Sequence, residues 1–234
     1  MLGVHAPHLG GHLEARLPTP PRLRERGDGE IARKALLFDL DGTLVDLKIV
    51  HYRALNKALE RISHPGIPYE DHLERFDGLS TKVKLDMLGI PEEQREQVQH
   101  DKQTETLRQI HRLCRPDPRL NASLNRLRKE GFFIGVVSNA RRETCLAMFW
   151  KARLGLYVQL LLSGDEGKPK PHPDLYLKAK ALLKCPAMVI EDNHHGIEAA
   201  VAAGLPYMKV TGPQEITYES VRSHWATLEQ MGVI

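Results

Sequence analysis

Two pairs of acidic residues stand where short apolar runs of the chain end. Asp39 and Asp41 follow the first run, and Glu191 and Asp192 follow a later one. Because side chains alternate along an extended backbone, Asp39 and Asp41 point to the same side. Carboxylates that share one spot need a cation or a shared proton, and Mg²⁺ prefers such oxygen ligands. The pattern predicts a Mg²⁺ site at Asp39 and Asp192, with Glu191 beside it, although a capped turn would explain either pair alone.

Two further polar segments could hold an anion. Ser138 and Asn139 end another apolar run just before a predicted helix, where a hydroxyl and free backbone N–H groups favour anion binding. Lys170 lies in a proline-rich segment, KPKPHPD at 168–174, whose stiff backbone leaves this lysine little freedom to lose. Lys168 competes with Lys170 for the same role. Together, the acid pairs, the anion cradle and the fixed lysine indicate phosphate chemistry.

The elements that position these residues alternate between strand and helix. Short apolar runs are typical of strands buried on both faces, and stretches of helical periodicity separate them. The predicted strands lie at 35–38, 132–137, 158–162, 187–190 and 207–210, and the predicted helices between them lie at 121–130, 142–151, 173–183 and 196–203. This alternation predicts an α/β fold with a doubly wound parallel sheet. Ligands bind such sheets at the carboxyl ends of the strands.

The segment 46–114 breaks the alternation, because its periodicity is helical throughout. It predicts an all-helical domain inserted between two parts of an α/β core, at 34–45 and 115–234. Residues 1–33 are rich in Gly, Pro, Arg and His and have no apolar periodicity, so we expect a disordered tail there.

Composition narrows the possible functions. Hydrophobic residues make up 41% of the 234 residues and charged residues 27%, which is typical of a compact soluble protein. The 33 Lys+Arg nearly balance the 30 Asp+Glu and form no dense basic block, which argues against a nucleic-acid partner. The 3 cysteines are widely spaced and predict reduced thiols. No apolar run approaches the roughly 20 residues that cross a bilayer, so we expect a cytoplasmic monomer or homodimer without membrane contact.

The four polar segments resemble the four motifs of the haloacid dehalogenase superfamily. FDLDGTL at 38–44 is similar to the first motif, and SN at 138–139 to the second. KPHPDLY at 170–176 resembles the third, and EDNHHGIEAA at 191–200 resembles the fourth. The motifs occur in the right order over about 34–212. The helical segment resembles the cap domain that such enzymes carry after the first motif, as in the phosphoglycolate phosphatase and β-phosphoglucomutase group.

The resemblance implies a role for each motif residue. Asp39 would be the nucleophile that forms an aspartyl-phosphate, and Asp41 would be the general acid and then the general base. Mg²⁺ would be held by the side chains of Asp39 and Asp192, by the backbone carbonyl of Asp41, and by Glu191 through a water. The phosphate-binding residues would be Thr43, Ser138, Asn139 and Lys170.

The helical segment contains three candidate substrate residues. His51 occupies a position similar to that of the cap-entry histidine of β-phosphoglucomutase and its relatives. Ser80 and Lys82 belong to GLSTK at 78–82, which resembles the loop by which these caps contact substrate. A packed or hinge histidine, a helix N-cap at Ser80 and a solvated Lys82 are equally good interpretations.

These features predict a Mg²⁺-dependent phosphatase that hydrolyses a small phosphorylated metabolite, such as a sugar phosphate or a similar monoester. A sugar-phosphate mutase of the β-phosphoglucomutase type is an alternative, because the catalytic core does not separate the two. A dehalogenase would have no use for Asp41, and a phosphonate hydrolase would need a Schiff-base lysine in the cap. From another class, a non-catalytic regulatory module could retain the fold, but its motifs should be degraded.

Overall fold

The computed structural model describes residues 34–234, so the tail predicted at 1–33 lies outside the described residues. The strands are β1 (Ala35–Phe38), β2 (Phe133–Val137), β3 (Leu160–Leu162), β4 (Ala187–Glu191) and β5 (Tyr207–Lys209). They form one sheet in the order β3-β2-β1-β4-β5, and every pair of neighbours is parallel. The predicted α/β fold with a parallel sheet is confirmed.

Nine α-helices surround or extend this sheet in the described part of the chain. They are α1 (Lys48–Glu60), α2 (Tyr69–Asp71), α3 (Thr81–Met87), α4 (Glu92–Leu113), α5 (Pro118–Lys129), α6 (Arg142–Ala152), α7 (Asp174–Leu183), α8 (His194–Ala202) and α9 (Tyr218–Gln230). A π-helical turn, His72–Phe76, continues α2, and short 3₁₀ helices lie at Leu154–Leu156 and Pro213–Glu215.

The central strand β1 is apolar throughout because helices cover both faces of the sheet. Leu36 and Phe38 belong to the apolar cluster on the face of α5, α6 and α9. Ala35 and Leu37 belong to the cluster on the face of α7 and α8. Burial on both faces explains why β1, β2 and β4 appear in the sequence as continuous apolar runs rather than as an alternating pattern.

The helices α1 to α4 lie between β1 and α5, in the segment predicted as an inserted domain. They have an apolar cluster of their own, separate from the two clusters on the sheet, which includes Leu55, Leu59, Phe76, Leu85 and Val98. We refer to α1 to α4 with their connections as the helical segment. Its boundaries as a domain stay a prediction.

The cysteines in residues 34–234 limit the thiol chemistry that this part of the chain can perform. Cys114, Cys145 and Cys185 are all free thiols. Burial raises the pKa of Cys114 to about 11 and of Cys145 to about 12, so neither is an activated thiolate.

Among the described helices, none combines the length and the apolar character that crossing a membrane requires.

Candidate active site

The turn after β1 places Asp39 and Asp41 at the edge of the sheet. Asp39 donates its backbone N–H to the carbonyl oxygen of Ile190 at 2.9 Å, which fixes it beside the end of β4. Gly42 follows with a φ of +98°, a conformation that L side chains rarely adopt. A Cβ atom at Gly42 would lie 2.2 Å from Oδ2 of Asp192. The glycine therefore lets the β1 turn approach the acid that follows β4.

Three carboxylates from the ends of β1 and β4 converge at this edge. Oxygen atoms of Asp39, Glu191 and Asp192, one from each, all lie within 4.8 Å of one another. Thr43 donates its hydroxyl to Oδ1 of Asp192 at 2.8 Å, and Nζ of Lys48 lies 2.7 Å from Oδ2 of the same residue. The structure thus places Thr43 as a residue that orients Asp192, and its predicted phosphate contact stays a prediction.

This donor set fits a divalent cation of the Mg²⁺ type. The cluster consists of carboxylate oxygens, the ligands of hard cations, whereas a zinc site would favour histidine or cysteine. Oε2 of Glu191 is buried without a hydrogen-bond partner among the described residues, which leaves it available to a cation. Burial raises the pKa of Asp39 well above its ordinary value and also raises the pKa of Glu191. A bound cation would oppose both shifts.

Lys170 is a buried cation that contacts these carboxylates directly. Its ammonium group lies 2.6 Å from Oδ1 of Asp39 and 2.5 Å from Oε1 of Glu191. The hydroxyl of Tyr176 donates to the same oxygen of Glu191 at 2.8 Å. Burial acts to lower the pKa of Lys170, but the two carboxylates outweigh it and raise this pKa well above its ordinary value. Lys170 therefore stays charged beside Asp39, whereas Lys168 is exposed.

Ser138 and Asn139 follow β2 and face the same edge. Oγ of Ser138 accepts a hydrogen bond from the N–H of Ala140 at 3.1 Å. The amide of Asn139 donates to the carbonyl oxygens of Gly78 at 2.8 Å and Lys170 at 3.0 Å. Its Oδ1 accepts the N–H of Lys170 at 2.7 Å. Asn139 thus fixes the lysine-bearing loop and ties the helical segment to the core, and the phosphate contacts of both residues stay predictions.

Asp41 lies where the core meets the helical segment. Its Oδ1 accepts the backbone N–H of Leu47 at 2.9 Å, and its Oδ2 lies 3.1 Å from Nε2 of His51 on α1. These contacts fix the carboxyl group of Asp41 in one orientation. The predicted substrate residue His51 therefore lies against the predicted acid and base, and its contact with substrate stays a prediction.

A cavity of about 490 Å³ lies between the edge of the sheet and the helical segment. Its volume falls in the range of about 300–1,000 Å³ that is usual for small-molecule sites. The residues that line it on the core side include Asp39, Asp41, Ser138, Asn139 and Lys170. Ser80 and Lys82 line it from α3. Ser80 is also the N-cap of α3, since its Oγ accepts the N–H of Val83 at 3.4 Å, and Lys82 is exposed.

Two lysines that sequence reasoning missed also line the cavity. Lys84 on α3 and Lys102 on α4 are only 4% and 7% exposed. Lys102 follows the buried Val98 by four residues, so the two share one face of α4. That spacing could have indicated an inward-facing lysine, but only if the buried face of α4 had been identified first.

Comparison with protein families shows to which family this chain belongs. The family described as "Haloacid dehalogenase-like hydrolase" matches residues 36–210. The chain belongs to this family. The match begins in β1 and ends just after β5, so it includes all of the sheet except Ala35, the helical segment and all four motifs. The resemblance inferred from those motifs is confirmed.

Several named proteins are similar to this chain. β-Phosphoglucomutase of Bacillus subtilis is 30% identical over 189 residues, which cover 74% of this chain and 80% of that protein. Phosphoglycolate phosphatase of Aquifex aeolicus is 29% identical over 175 residues, which cover 73% and 81%. A phosphorylated carbohydrates phosphatase of Thermotoga maritima is 26% identical over 180 residues, which cover 74% and 82%.

Solved structures share this fold. The crystal structure of β-phosphoglucomutase from Clostridium difficile superimposes with a TM-score of 0.72 at 19% identity and covers 83% of this chain and 98% of that one. Family membership and these relatives confirm the predicted class of enzyme, a phosphatase of the haloacid dehalogenase-like type. The carboxylate cluster supplies a place for a divalent cation.

Proposed function

We propose that this enzyme is a Mg²⁺-dependent phosphatase that hydrolyses a small phosphorylated metabolite, a sugar phosphate or a similar monoester, through an aspartyl-phosphate on Asp39. The observation that carries the proposal is the position of Asp39. It is buried between Lys170 and two further carboxylates, yet it lines the cavity. Relatives named as phosphatases of phosphoglycolate and of phosphorylated carbohydrates support this substrate class.

The reaction splits one displacement into two. In the first step an oxygen of Asp39 bonds to phosphorus, the bond from phosphorus to the leaving oxygen breaks, and Asp41 gives that oxygen its proton. In the second step water attacks phosphorus, Asp41 takes a proton from the water, and the bond to Asp39 breaks. Inorganic phosphate leaves and both aspartates return to their starting states.

Positive charge must accumulate around the phosphoryl group, because its oxygens carry the charge of the transition state. Lys170 supplies a fixed charge in contact with Asp39, and Ser138 and Asn139 line the same part of the cavity. Mg²⁺ would be held by Asp39, Asp192 and the carbonyl of Asp41, with Glu191 acting through a water, and it would add positive charge at those oxygens.

The first prediction concerns the metal. After treatment with a chelator, hydrolysis of p-nitrophenyl phosphate should fall about 100-fold or more, because a metal charge on the phosphoryl oxygens contributes several kcal/mol. Added Mg²⁺ should restore the rate, and the rate is measured by release of nitrophenolate. Unchanged activity after chelation would contradict the role of Mg²⁺. If the protein hydrolyses no phosphate with or without metal, that result would favour the alternative of a non-catalytic regulatory module.

The second prediction concerns Asp41. Asp41→Asn should lower kcat/KM for an alkyl phosphate by about 10²–10⁴-fold, the usual contribution of a general acid. The loss for p-nitrophenyl phosphate should be much smaller, because kcat/KM reports formation of the aspartyl-phosphate and nitrophenolate leaves without a proton. The measurement is the ratio of the two kcat/KM values in mutant and wild type. Equal losses for both substrates would remove Asp41 as the acid.

A mutase remains the second candidate, because the 30% identity to Bacillus subtilis β-phosphoglucomutase favours it. A mutase would return the phosphoryl group from Asp39 to a second hydroxyl, whereas a phosphatase gives it to water. Incubation with β-glucose 1-phosphate and a trace of glucose 1,6-bisphosphate separates the two. A phosphatase releases inorganic phosphate, and a mutase accumulates glucose 6-phosphate instead.

A further inference from the structure

Lys48 is a second lysine that contacts the carboxylate cluster. It is the first residue of α1, and its Nζ lies 2.7 Å from Oδ2 of Asp192 and 3.3 Å from Oδ2 of Asp77. Asp192 belongs to the cluster that would hold the cation, whereas Asp77 follows the π-helical turn of the helical segment. One ammonium group therefore lies between a carboxylate of the core and a carboxylate of the helical segment.

The two lysines at the cluster differ in the partners that they can reach. The side chain of Lys170 is 3% exposed, and its two carboxylate partners both belong to the cluster. The side chain of Lys48 is 24% exposed, and one of its partners, Asp77, lies outside the cluster. Within residues 34–234, Lys48 can therefore release the cluster and keep a carboxylate partner, whereas Lys170 cannot.

The two oxygens of Asp192 are engaged in different ways. Oδ1 accepts the hydroxyl of Thr43 at 2.8 Å. Oδ2 contacts Lys48 as an ion pair rather than as an aligned hydrogen bond, because this buried oxygen accepts no hydrogen bond from the described residues. A cation at Oδ2 would break no hydrogen bond, but it would meet the charge of Lys48.

Asp77 is held beside Lys48 by the contacts of the next residue. The carbonyl oxygen of Gly78 accepts the side-chain amide of Asn139 at 2.8 Å. Gly78 has a φ of +74°, and a Cβ atom there would lie 2.9 Å from Nδ2 of Asn193, so the close approach of this loop to the core requires a glycine. These contacts hold Asp77 in place independently of Asp192.

The charge of the cluster depends on which carboxylate Lys48 contacts. With Lys48 on Asp192 and Lys170 on the other two acids, two ammonium groups balance two of the three carboxylate charges. Metal affinity rises with the negative charge of the ligands, and a nearby positive charge opposes it. If Lys48 contacts Asp77 alone, the cluster keeps two unbalanced negative charges, which match the charge of a divalent cation.

We propose that Lys48 competes with the divalent cation for Asp192 and transfers to Asp77 when the cation binds, so that Lys48 and Asp77 together set the metal affinity of the enzyme. The inference rests on the metal dependence of the proposed function. Lys48 is a positioning residue, because it acts through Asp192 and is not among the residues that line the cavity.

Metal binding by single variants tests the proposal. Each protein is treated with a chelator, dialysed and titrated with Mn²⁺, which takes the same oxygen ligands as Mg²⁺ and whose free ion is counted by electron paramagnetic resonance. The Mg²⁺ affinity follows from competition with Mn²⁺. Lys48→Met should bind both cations about 10-fold more tightly or better, because the competing charge is gone. Asp77→Asn should bind them about 5-fold more weakly or worse, because Lys48 then has no second carboxylate.

The double variant Lys48→Met/Asp77→Asn separates this exchange from two independent effects. If Asp77 acts by receiving Lys48, the double variant should bind Mn²⁺ nearly as tightly as Lys48→Met alone. If Asp77 attracts the cation directly, its replacement should weaken binding by the same factor with and without Lys48, and that result would overturn the proposal. An unchanged or weaker affinity in Lys48→Met would overturn it as well.

The matched control is Lys57→Met, which removes the same charge from an exposed position of α1 that pairs with Glu105. It should leave the metal affinity unchanged, and a tightening equal to that of Lys48→Met would overturn the proposal. Lys48→Gln replaces Lys48→Met if the methionine variant fails to fold.

The melting temperature gives a second readout. Without metal, Lys48→Met should melt below the wild type, because Asp77 and Asp192 lose their ammonium partner. A given concentration of Mg²⁺ should then raise the melting temperature more in the variant, since tighter binding stabilises the folded state more. An equal rise in both proteins would contradict the competition.

Binding also separates this inference from the proposed function. A protein that shows the predicted pattern of affinities but hydrolyses no phosphate upholds the role of Lys48 and contradicts the phosphatase function. A Mg²⁺-dependent phosphatase whose metal affinity is the same with and without Lys48 overturns the role of Lys48 and leaves the phosphatase function standing.

Discussion

Replacing Asp39 with asparagine should lower kcat by about 10⁴-fold or more, a loss comparable to removal of the nucleophile from other covalent mechanisms. Asparagine keeps the shape of the side chain but cannot form an aspartyl-phosphate. The rate is measured with p-nitrophenyl phosphate and with a sugar phosphate, in excess Mg²⁺. Retention of more than a small fraction of wild-type activity on either substrate would show that another group is the nucleophile.

The Asp39→Asn protein should remain folded, which distinguishes a chemical loss from a structural one. Burial raises the pKa of Asp39 in the folded protein. At pH values above the pKa that this carboxyl group has in the unfolded chain, it therefore destabilises the fold. A neutral asparagine removes that effect, and the melting temperature without Mg²⁺ should not fall. A labelled substrate should also leave a phosphoryl group on the peptide that contains Asp39 in the wild type and not in the mutant.

The strands and the core of the site could be predicted because both depend on short-range patterns. A strand buried on both faces appears in the sequence as an apolar run, and Asp39, Ser138 and Asp192 stand at or just after the ends of three such runs. Parallel strands then bring these residues to one edge of the sheet whatever the loops between them do. The register of the strands also aligns their ends, since Phe38 pairs with both Val136 and Ile190.

The long-range side-chain contacts of the site could not be predicted. Asn139 donates to the carbonyl oxygen of Gly78, which is 61 residues away along the chain. Thr43 donates to Asp192 across 149 residues. Both side chains can form hydrogen bonds with many different partners, so only the tertiary structure determines which partner each one contacts. The buried positions of Lys84 and Lys102 could not be predicted either, because a lysine on a helix is usually solvated.

The helix α9 also lies beyond the elements predicted from the sequence, which end at residue 210. Its start is marked by a capping box in which Thr217 and Ser220 satisfy each other's backbone N–H groups. Trp225 packs edge-to-face on Phe132 with ring centroids 5.0 Å apart. The capping pair and the apolar spacing of Val221 and Trp225 are local signals, so this helix could have been found from sequence alone.

Replacing Lys170 with methionine should impair both rate and stability. The fixed charge beside Asp39 is lost, so kcat for every phosphate should fall by about 10²–10³-fold, as for other groups that stabilise transition-state charge. Asp39 and Glu191 are also left buried without their cation. Breaking a buried ion pair in this way costs about 3–5 kcal/mol of unfolding free energy. Lys168→Met is the matched control, because Lys168 lies two residues earlier and is exposed.

The pH dependence of stability shows whether Lys170 acts through these carboxylates. Lys170 lowers the pKa of Asp39 and of Glu191 against the effect of burial, so its removal should raise both values further. A folded state that holds more protons than the unfolded chain loses stability as pH rises, so without Mg²⁺ the variant should melt at a lower temperature near about pH 8 than near about pH 5. Wild type and Lys168→Met should show a shallower trend. Parallel pH profiles for all three proteins would mean that Lys170 is not the counter-charge of this site.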